Sequence, residues 1–335
     1  MRTPEHIPSA ERHKVLSVES SIESLDGQPR QIRVELGPDG LPKAAAFFDI
    51  DGTLADLRFV HFAAIREMYP NADPTELASM LEESWKIRNA YLEQRRMHGI
   101  YAEGRDDWRT LSGYSHFLTP EKQQEISSPG NSEHELATGL LQRFSETAAR
   151  AADTVYREHP ERFDQAKNRP VTRLAHLYSR LGIPMSVMTG NPAAMSHAFG
   201  KYLGLADQFI DIASIEDMKG MGKAGAIEHL VTRMEAQGIP VPKDRLILVG
   251  DSLGQDIGAA RGLPEEWHAR LKGLLVMRDQ AALTEAQQQI SGDPELAELV
   301  STVDVSGLMI DRVPLNEHGT PMLSSKYRNQ FIERL

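Results

Sequence analysis

The chain predicts an α/β fold, a three-layer Rossmann-like core of parallel strands with an all-helical cap domain inserted into it. Two observations carry this. Five short apolar runs recur, the last four of them interleaved with amphipathic stretches. Strands that alternate with helices imply parallel strands joined by right-handed crossovers. The stretch 57–168, between the first run and the second, is far longer than one crossover requires and contains helical text with no convincing strand.

Taken in order, residues 1–43 form an N-terminal extension. VLSVES and QIRVEL alternate apolar and polar residues around LDGQPR, which reads as two short strands and a turn. They make either a hairpin at a sheet edge or a flexible arm. Residues 44–56 and 169–305 form the core. AAAFFDI, from Ala44, has no polar face, as expected of a strand buried on both sides. The later strands are IPMSVMT from Ile183, DQFIDIA from Asp207, RLILVGD from Arg245 and KGLLVMR from Lys272.

Between them, VTRLAHLYSRLG carries Val171, Leu174, Leu177 and Leu181 at helical spacing, with Gly182 as its cap. KAGAIEHLVTRMEAQG repeats the pattern before Gly238. The 57–168 cap contains PTELASMLEESWKIRNAYLEQRRM and EHELATGLLQRFSETAARAADTVYRE, punctuated at Pro120, Pro129 and Gly130. Its hinges are expected near Leu57 and Asn168. Residues 306–335 read as a surface tail without a motif.

Composition narrows the function. Forty per cent hydrophobic residues suffice for a sizeable core, and no run reaches the length of a membrane helix. MRTPEHIPSAERHK lacks the apolar centre of a secretory signal. With no cysteine, disulfides, thiolate metal sites and a cysteine nucleophile are excluded, and a cytoplasmic location is the expectation. A net charge of −11 argues against nucleic acid as a partner. It leaves room for a small anion in a locally basic cleft.

In a parallel α/β sheet, ligands bind at the carboxyl ends of the strands. Asp49 and Asp51 follow the first strand in FFDIDGTL, and Thr189 and Gly190 follow the second in MTGN. Asp251 and Asp256 follow the fourth in GDSLGQD, and Lys219 and Lys223 precede a helix in DMKGMGKAG. Crowded carboxylates raise the cost of ionising one another, and a hard divalent cation such as Mg²⁺ removes it. A hydroxyl, a glycine amide and a lysine beside such a cation suit a phosphoryl group. An aspartate is ionised at neutral pH and attacks without a base. Gly52 lets the chain turn after the strand, and Thr53 is expected to pin that turn with its hydroxyl.

FFDIDGTL, MTGN, GKAG and VGDSLGQDIGAA, in this order, resemble the four motifs of the haloacid dehalogenase superfamily, specifically its phosphatase branch. The resemblance covers about 44–60 and 170–280, and the helical stretch matches a cap by position only. It implies Asp49 as the nucleophile forming an aspartyl-phosphate, and Asp51 as the acid and then the base. It implies Mg²⁺ held by Asp49, the Asp51 carbonyl and Asp251. Thr189, Gly190 and Lys223 would bind phosphate, with Lys223 preferred to Lys219 because it directly precedes the helix. Asp256 would support the metal waters or Lys223. Four residues separate Asp251 from Asp256, where many members have three.

The expected activity is hydrolysis of a small phosphomonoester, a phosphorylated metabolite. The alternatives are a phosphomutase, a dehalogenase of the same fold, and a binding protein on a retired enzyme fold. A dehalogenase needs no acid at Asp51, and a retired enzyme would be expected to lose Asp49 or Asp251. In the cap, Arg88 interrupts the apolar stripe of Leu81, Trp85 and Leu92, and Arg95 follows. Either Arg88 snorkels to water, or Arg88 or Arg95 faces the cleft and chooses the substrate. His61 reads as a packed core histidine.

Overall fold

The computed structural model describes residues 14–71, 73, 133–218, 221–276, 280–294, 297 and 300–301. Its centre is a sheet of six parallel strands: β3 (Ala45–Phe48), β4 (Met185–Met188), β5 (Ile212–Ala213), β6 (Leu246–Gly250), β7 (Lys272–Leu275) and β8 (Val300–Ser301). Their spatial order is β5-β4-β3-β6-β7-β8. This puts the first apolar run between the second and fourth, so three motif-bearing strands are neighbours. All five strands read from sequence form. The third is shorter than DQFIDIA, because residues 205–207 coil into a tight turn and only Ile212–Ala213 form β5. The edge strand β8 has two residues, too few to leave a periodic signal.

The central strands β3 and β6 are apolar throughout because both faces are covered. Ala46, Phe48, Ile247 and Val249 enter one apolar cluster, and Ala45, Phe47, Leu246 and Leu248 the other, with the period of two expected of a strand. The first face is covered by α1 (Arg58–Met68), α2 (Glu133–Glu158), α4 (Arg169–Arg180) and α5 (Ala193–Tyr202), with the short α3 (Pro160–Ala166) alongside. The second face is covered by α6 (Gly222–Ala236) and by Ala286 of α7 (Gln280–Ser291). Val171, Leu174, Leu177 and Leu181 are all buried, and the chain leaves α4 through a left-handed Gly182.

At the N-terminal end, β1 (Lys14–Glu19) and β2 (Gln31–Leu36) pair antiparallel as a separate two-stranded sheet. Ile32, Val34 and Leu36 point into the second apolar cluster, and Glu35 N–H donates to the Gly182 carbonyl at 2.9 Å. Burying an aliphatic side chain is worth about 1.5–3 kcal/mol, enough for three of them to hold a hairpin on the core.

The insertion leaves the core after β3 and returns before α4. Its two ends are tied together: Asp56 N–H donates to the Ala166 carbonyl at 2.9 Å, and Asn168 N–H to the Leu54 carbonyl at 2.8 Å. Val60, Ala64 and Ile65 of α1 and Phe144, Ala148 and Ala152 of α2 share one apolar cluster with Met195 and Phe199 of α5. Movement of these flanks about Leu57 and Asn168 would have to open that packing. The segment PTELASMLEESWKIRNAYLEQRRM, with Leu81, Trp85, Arg88, Leu92 and Arg95, lies outside the described residues, as do Lys219 and residues 306–335. Among the described residues, no helix is long and apolar enough to cross a membrane.

Candidate active site

Parallel pairing brings the carboxyl ends of β3, β4 and β6 to one rim. Asp49 continues β3 by one residue, its N–H donating to the Val249 carbonyl of β6 at 2.9 Å. Gly52 then adopts φ +83°, a left-handed conformation open to glycine at little cost. The turn closes through backbone bonds, Gly52 N–H to the Ala55 carbonyl at 2.9 Å and Ala55 N–H to the Ile50 carbonyl at 3.0 Å. The expectation for Thr53 is corrected here: its buried hydroxyl has no hydrogen-bond partner among the described residues, because the backbone already closes the turn.

Asp49, Asp251 and Asp256 each place a carboxylate oxygen within 4.8 Å of the others. Lys223, in the first turn of α6, enters the same group. Its Nζ lies 2.7 Å from Asp49 Oδ1 and pairs with Asp256 Oδ1 as well. Asp256 is fully engaged, since its Oδ2 accepts the Ser252 N–H at 2.8 Å. Room for this carboxylate comes from Gly250, where an added Cβ would sit 2.1 Å from Asp256 Cβ.

The residue added between Asp251 and Asp256 is absorbed locally. Residues Leu253–Ile257 wind as a wide π turn, with Ile257 N–H reaching the Ser252 carbonyl five residues back. Such single π turns are rare and frequent at functional sites. Ser252 Oγ caps the turn by accepting the Gln255 N–H at 3.0 Å.

Burial pushes the Asp49 carboxyl well above the usual carboxylate range, and Asp256 and Asp251 add to the effect while Lys223 opposes it. Burial also works against charge on Lys223, but there Asp256 and Asp49 outweigh it and push its pKa up to about 12. Both partners of one ion pair are thus raised. For Asp49 burial leads, and the one lysine it shares with Asp256 does not offset it. The lysine is fully satisfied and Asp49 is not. This is the electrostatic condition that a divalent cation relieves, and the oxygens present are hard donors of the kind Mg²⁺ takes.

Thr189 and Gly190 lie at the end of β4. Thr189 is buried, and its Oγ1 accepts the Asn191 N–H at 3.2 Å. Asp51, about a third exposed, turns its side chain toward this loop, where its Oδ2 accepts the Asn191 side-chain N–H at 2.6 Å. Asn191 is the last letter of MTGN, and sequence reasoning gave it no role. The signal available was its place two residues after Thr189, in the loop that follows the strand adjacent to the one before Asp51. His61 is buried between Phe144 and Phe199, with ring centroids 5.8 Å from each. This fits a packed histidine, but its Nε2 also stands 3.8 Å from Asp51 Oδ2.

The fold is similar to several solved structures. The magnesium-bound HAD-hydrolase YfnB of Bacillus subtilis shares 14% identity, covering 73% of this chain and 98% of its own, with a TM-score of 0.45. CbbY of Rhodobacter sphaeroides, in complex with phosphate, shares 16%, covering 69% and 85%, with a TM-score of 0.40. The L-2-haloacid dehalogenase of Xanthobacter autotrophicus, with chloropropionic acid covalently bound, shares 18%, covering 76% and 86%, with a TM-score of 0.38. A search of curated proteins finds no match to the sequence. The family model for haloacid dehalogenase-like hydrolases matches residues 43–263, well over half of the 335 residues and including all four motifs. The chain therefore belongs to the haloacid dehalogenase-like hydrolases.

Proposed function

We propose that this hydrolase is a Mg²⁺-dependent phosphatase acting on a small phosphomonoester, a phosphorylated metabolite, through an aspartyl-phosphate. The observation that carries the reading is Asp51. It is a second acid two residues from Asp49, partly exposed and held by Asn191, while Asp49 is buried beside Lys223. A dehalogenase needs the first carboxylate and not the second.

Asp49, the Asp51 carbonyl and Asp251 would hold Mg²⁺, which when bound offsets the carboxylate charge and that of the phosphoryl oxygens. An Asp49 oxygen attacks phosphorus while the bond to the ester oxygen breaks. Asp51 gives its proton to that departing oxygen. Asp51 then takes a proton from water as the water oxygen attacks phosphorus, and the bond from phosphorus to Asp49 breaks. Thr189, the Gly190 amide and Lys223 hold the phosphoryl oxygens through both steps. Asp256 keeps Lys223 in place.

Phosphate release from p-nitrophenyl phosphate and from an alkyl phosphate, with Mg²⁺ and after chelation, tests the reading. Release from both esters that stops on chelation is expected. Asp51→Asn should lose far more kcat/KM on the alkyl ester, whose leaving oxygen needs the proton, than on the aryl ester. Halide release from 2-chloropropionate without phosphate release would assign the dehalogenase alternative. Conversion of one phosphate ester into another without free phosphate would assign the phosphomutase.

A further inference from the structure

The two oxygens of Asp51 are not equivalent. Oδ2 accepts the Asn191 amide N–H at 2.6 Å and has His61 Nε2 at 3.8 Å. Asn191 approaches from the β4–α5 loop of the core, and His61 from the first turn of α1 in the insertion. Asn191 is itself immobilised. It is buried, its N–H donates to Thr189 Oγ1, and its carbonyl accepts the Ile215 N–H and the Ser196 hydroxyl, each at 3.1 Å. All three of these bonds are made by its backbone, which leaves the side-chain amide to donate to Asp51. Its N–H faces the carboxylate, since the amide oxygen in that place would repel it.

We infer that Asn191 is a positioning residue for Asp51: by donating to Oδ2 it keeps that oxygen an acceptor, and assigns to Oδ1 the proton that passes to the leaving group. An acid free to rotate presents either oxygen and must find the productive one in each turnover. An acid held at one oxygen presents the other at a fixed place. The inference rests on the acid–base role proposed for Asp51, and it adds the residue that orients the acid and the oxygen that carries the proton.

The test uses the full-length protein with Mg²⁺ and two variants. Asn191→Ala removes the donor, and Asn191→Asp keeps the shape while replacing the donor with a carboxylate. Both leave the backbone bonds of residue 191 available. For either variant, kcat/KM on an alkyl phosphate, which reports the first half-reaction and not the later attack of water, should fall about a hundredfold, the loss typical of a misplaced catalytic group. The same ratio for p-nitrophenyl phosphate, whose leaving group needs little protonation, should fall less than about threefold. Equal falls on both esters, or no fall on the alkyl ester, would overturn the inference. If the wild-type protein releases no phosphate from either ester, the phosphatase reading fails, and crystal structures of the wild type and Asn191→Ala decide the positioning role separately. An Asp51 carboxylate that swings away in the variant supports it, and one that keeps its wild-type orientation overturns it.

Discussion

The rim of the sheet and the flanks of the insertion are built on opposite terms. At the rim, charge is fixed atom by atom: Lys223 between Asp49 and Asp256, Asp256 on the Ser252 N–H, Asp51 on Asn191. In the flanks, shape does the holding. Phe59 meets Phe163 edge to face at 5.2 Å, Phe163 lies 5.6 Å from Tyr202, and Tyr202 stacks on Tyr156 at 4.7 Å. A polar contact joins them, the Tyr202 hydroxyl donating to Asp153 at 2.7 Å. Directed charge requires particular residue types at particular places, whereas apolar fit can be met by many sequences. The chemistry therefore left motifs in the chain and the packing did not.

Two substitutions would break this contrast if it is wrong. Asp49→Asn keeps the shape and removes the attacking oxygen. Activity should fall at least about a thousandfold, roughly 4 kcal/mol of barrier, with the thermal midpoint not lowered. A variant that kept a tenth of wild-type turnover, with deamidation excluded by mass spectrometry, would remove Asp49 from the nucleophile's role. Phe163→Ala should do the reverse. Emptying a fully buried aromatic site costs about 3–5 kcal/mol of stability. Calorimetry should show one lowered transition, because the flanks share the core's apolar cluster. Below that transition, turnover of p-nitrophenyl phosphate should persist. A second, separate transition would mean that the flanks fold independently of the sheet.

The same contrast explains what could be read without the structure. The five strands were legible because burial on both faces leaves continuous apolar runs, and α4 because its apolar positions recur at helical spacing. Asp49, Asp251 and Lys223 were legible as charges at strand ends and a helix start. His61 was legible as a packed histidine, whereas Asn191 was not, because its side chain meets a partner distant in sequence. Asp51 is 140 positions from Asn191, and nothing local marks the pair. Thr53 shows the opposite failure. Local turn chemistry suggested a hydroxyl bond that the backbone makes superfluous. The π turn at Leu253–Ile257 was visible only as a spacing anomaly, since its wide winding depends on hydrogen bonds the sequence does not display.

Metal binding sharpens the comparison within the rim itself. Mg²⁺ at about a hundred times its dissociation constant should stabilise the wild type by about 2.7 kcal/mol, read as a rise in the thermal midpoint. Asp251→Ala should abolish most of that rise. Asp256→Ala should keep more of it, because both oxygens of Asp256 are already engaged by Lys223 and Ser252. It should instead lower the midpoint without metal, since truncation empties a fully buried site and removes the acceptor of the Ser252 N–H. If Asp256→Ala erased the metal response as completely as Asp251→Ala, Asp256 would be a direct ligand, and its pairing with Lys223 would have to give way when metal binds.

The smallest effect belongs to the insertion, where selection of the ester is proposed to reside. All four motifs lie outside residues 57–168, so the proposed phosphate transfer is expected to draw its residues from the core. Arg88 and Arg95, read from the sequence alone, are its candidates for binding the rest of an anionic substrate, because a guanidinium can grip a carboxylate or a second phosphate in bidentate fashion. A panel of phosphorylated metabolites would first identify the ester with the highest kcat/KM. Arg88→Ala or Arg95→Ala should then raise KM for that ester about tenfold, a loss of roughly 1.4 kcal/mol of binding, while kcat on p-nitrophenyl phosphate stays near the wild-type value. That split separates selection from chemistry. If both variants kept the wild-type KM, selection would rest on other residues. If kcat on p-nitrophenyl phosphate fell with KM unchanged, the insertion would contribute to the chemistry, and the division between the two regions would not hold.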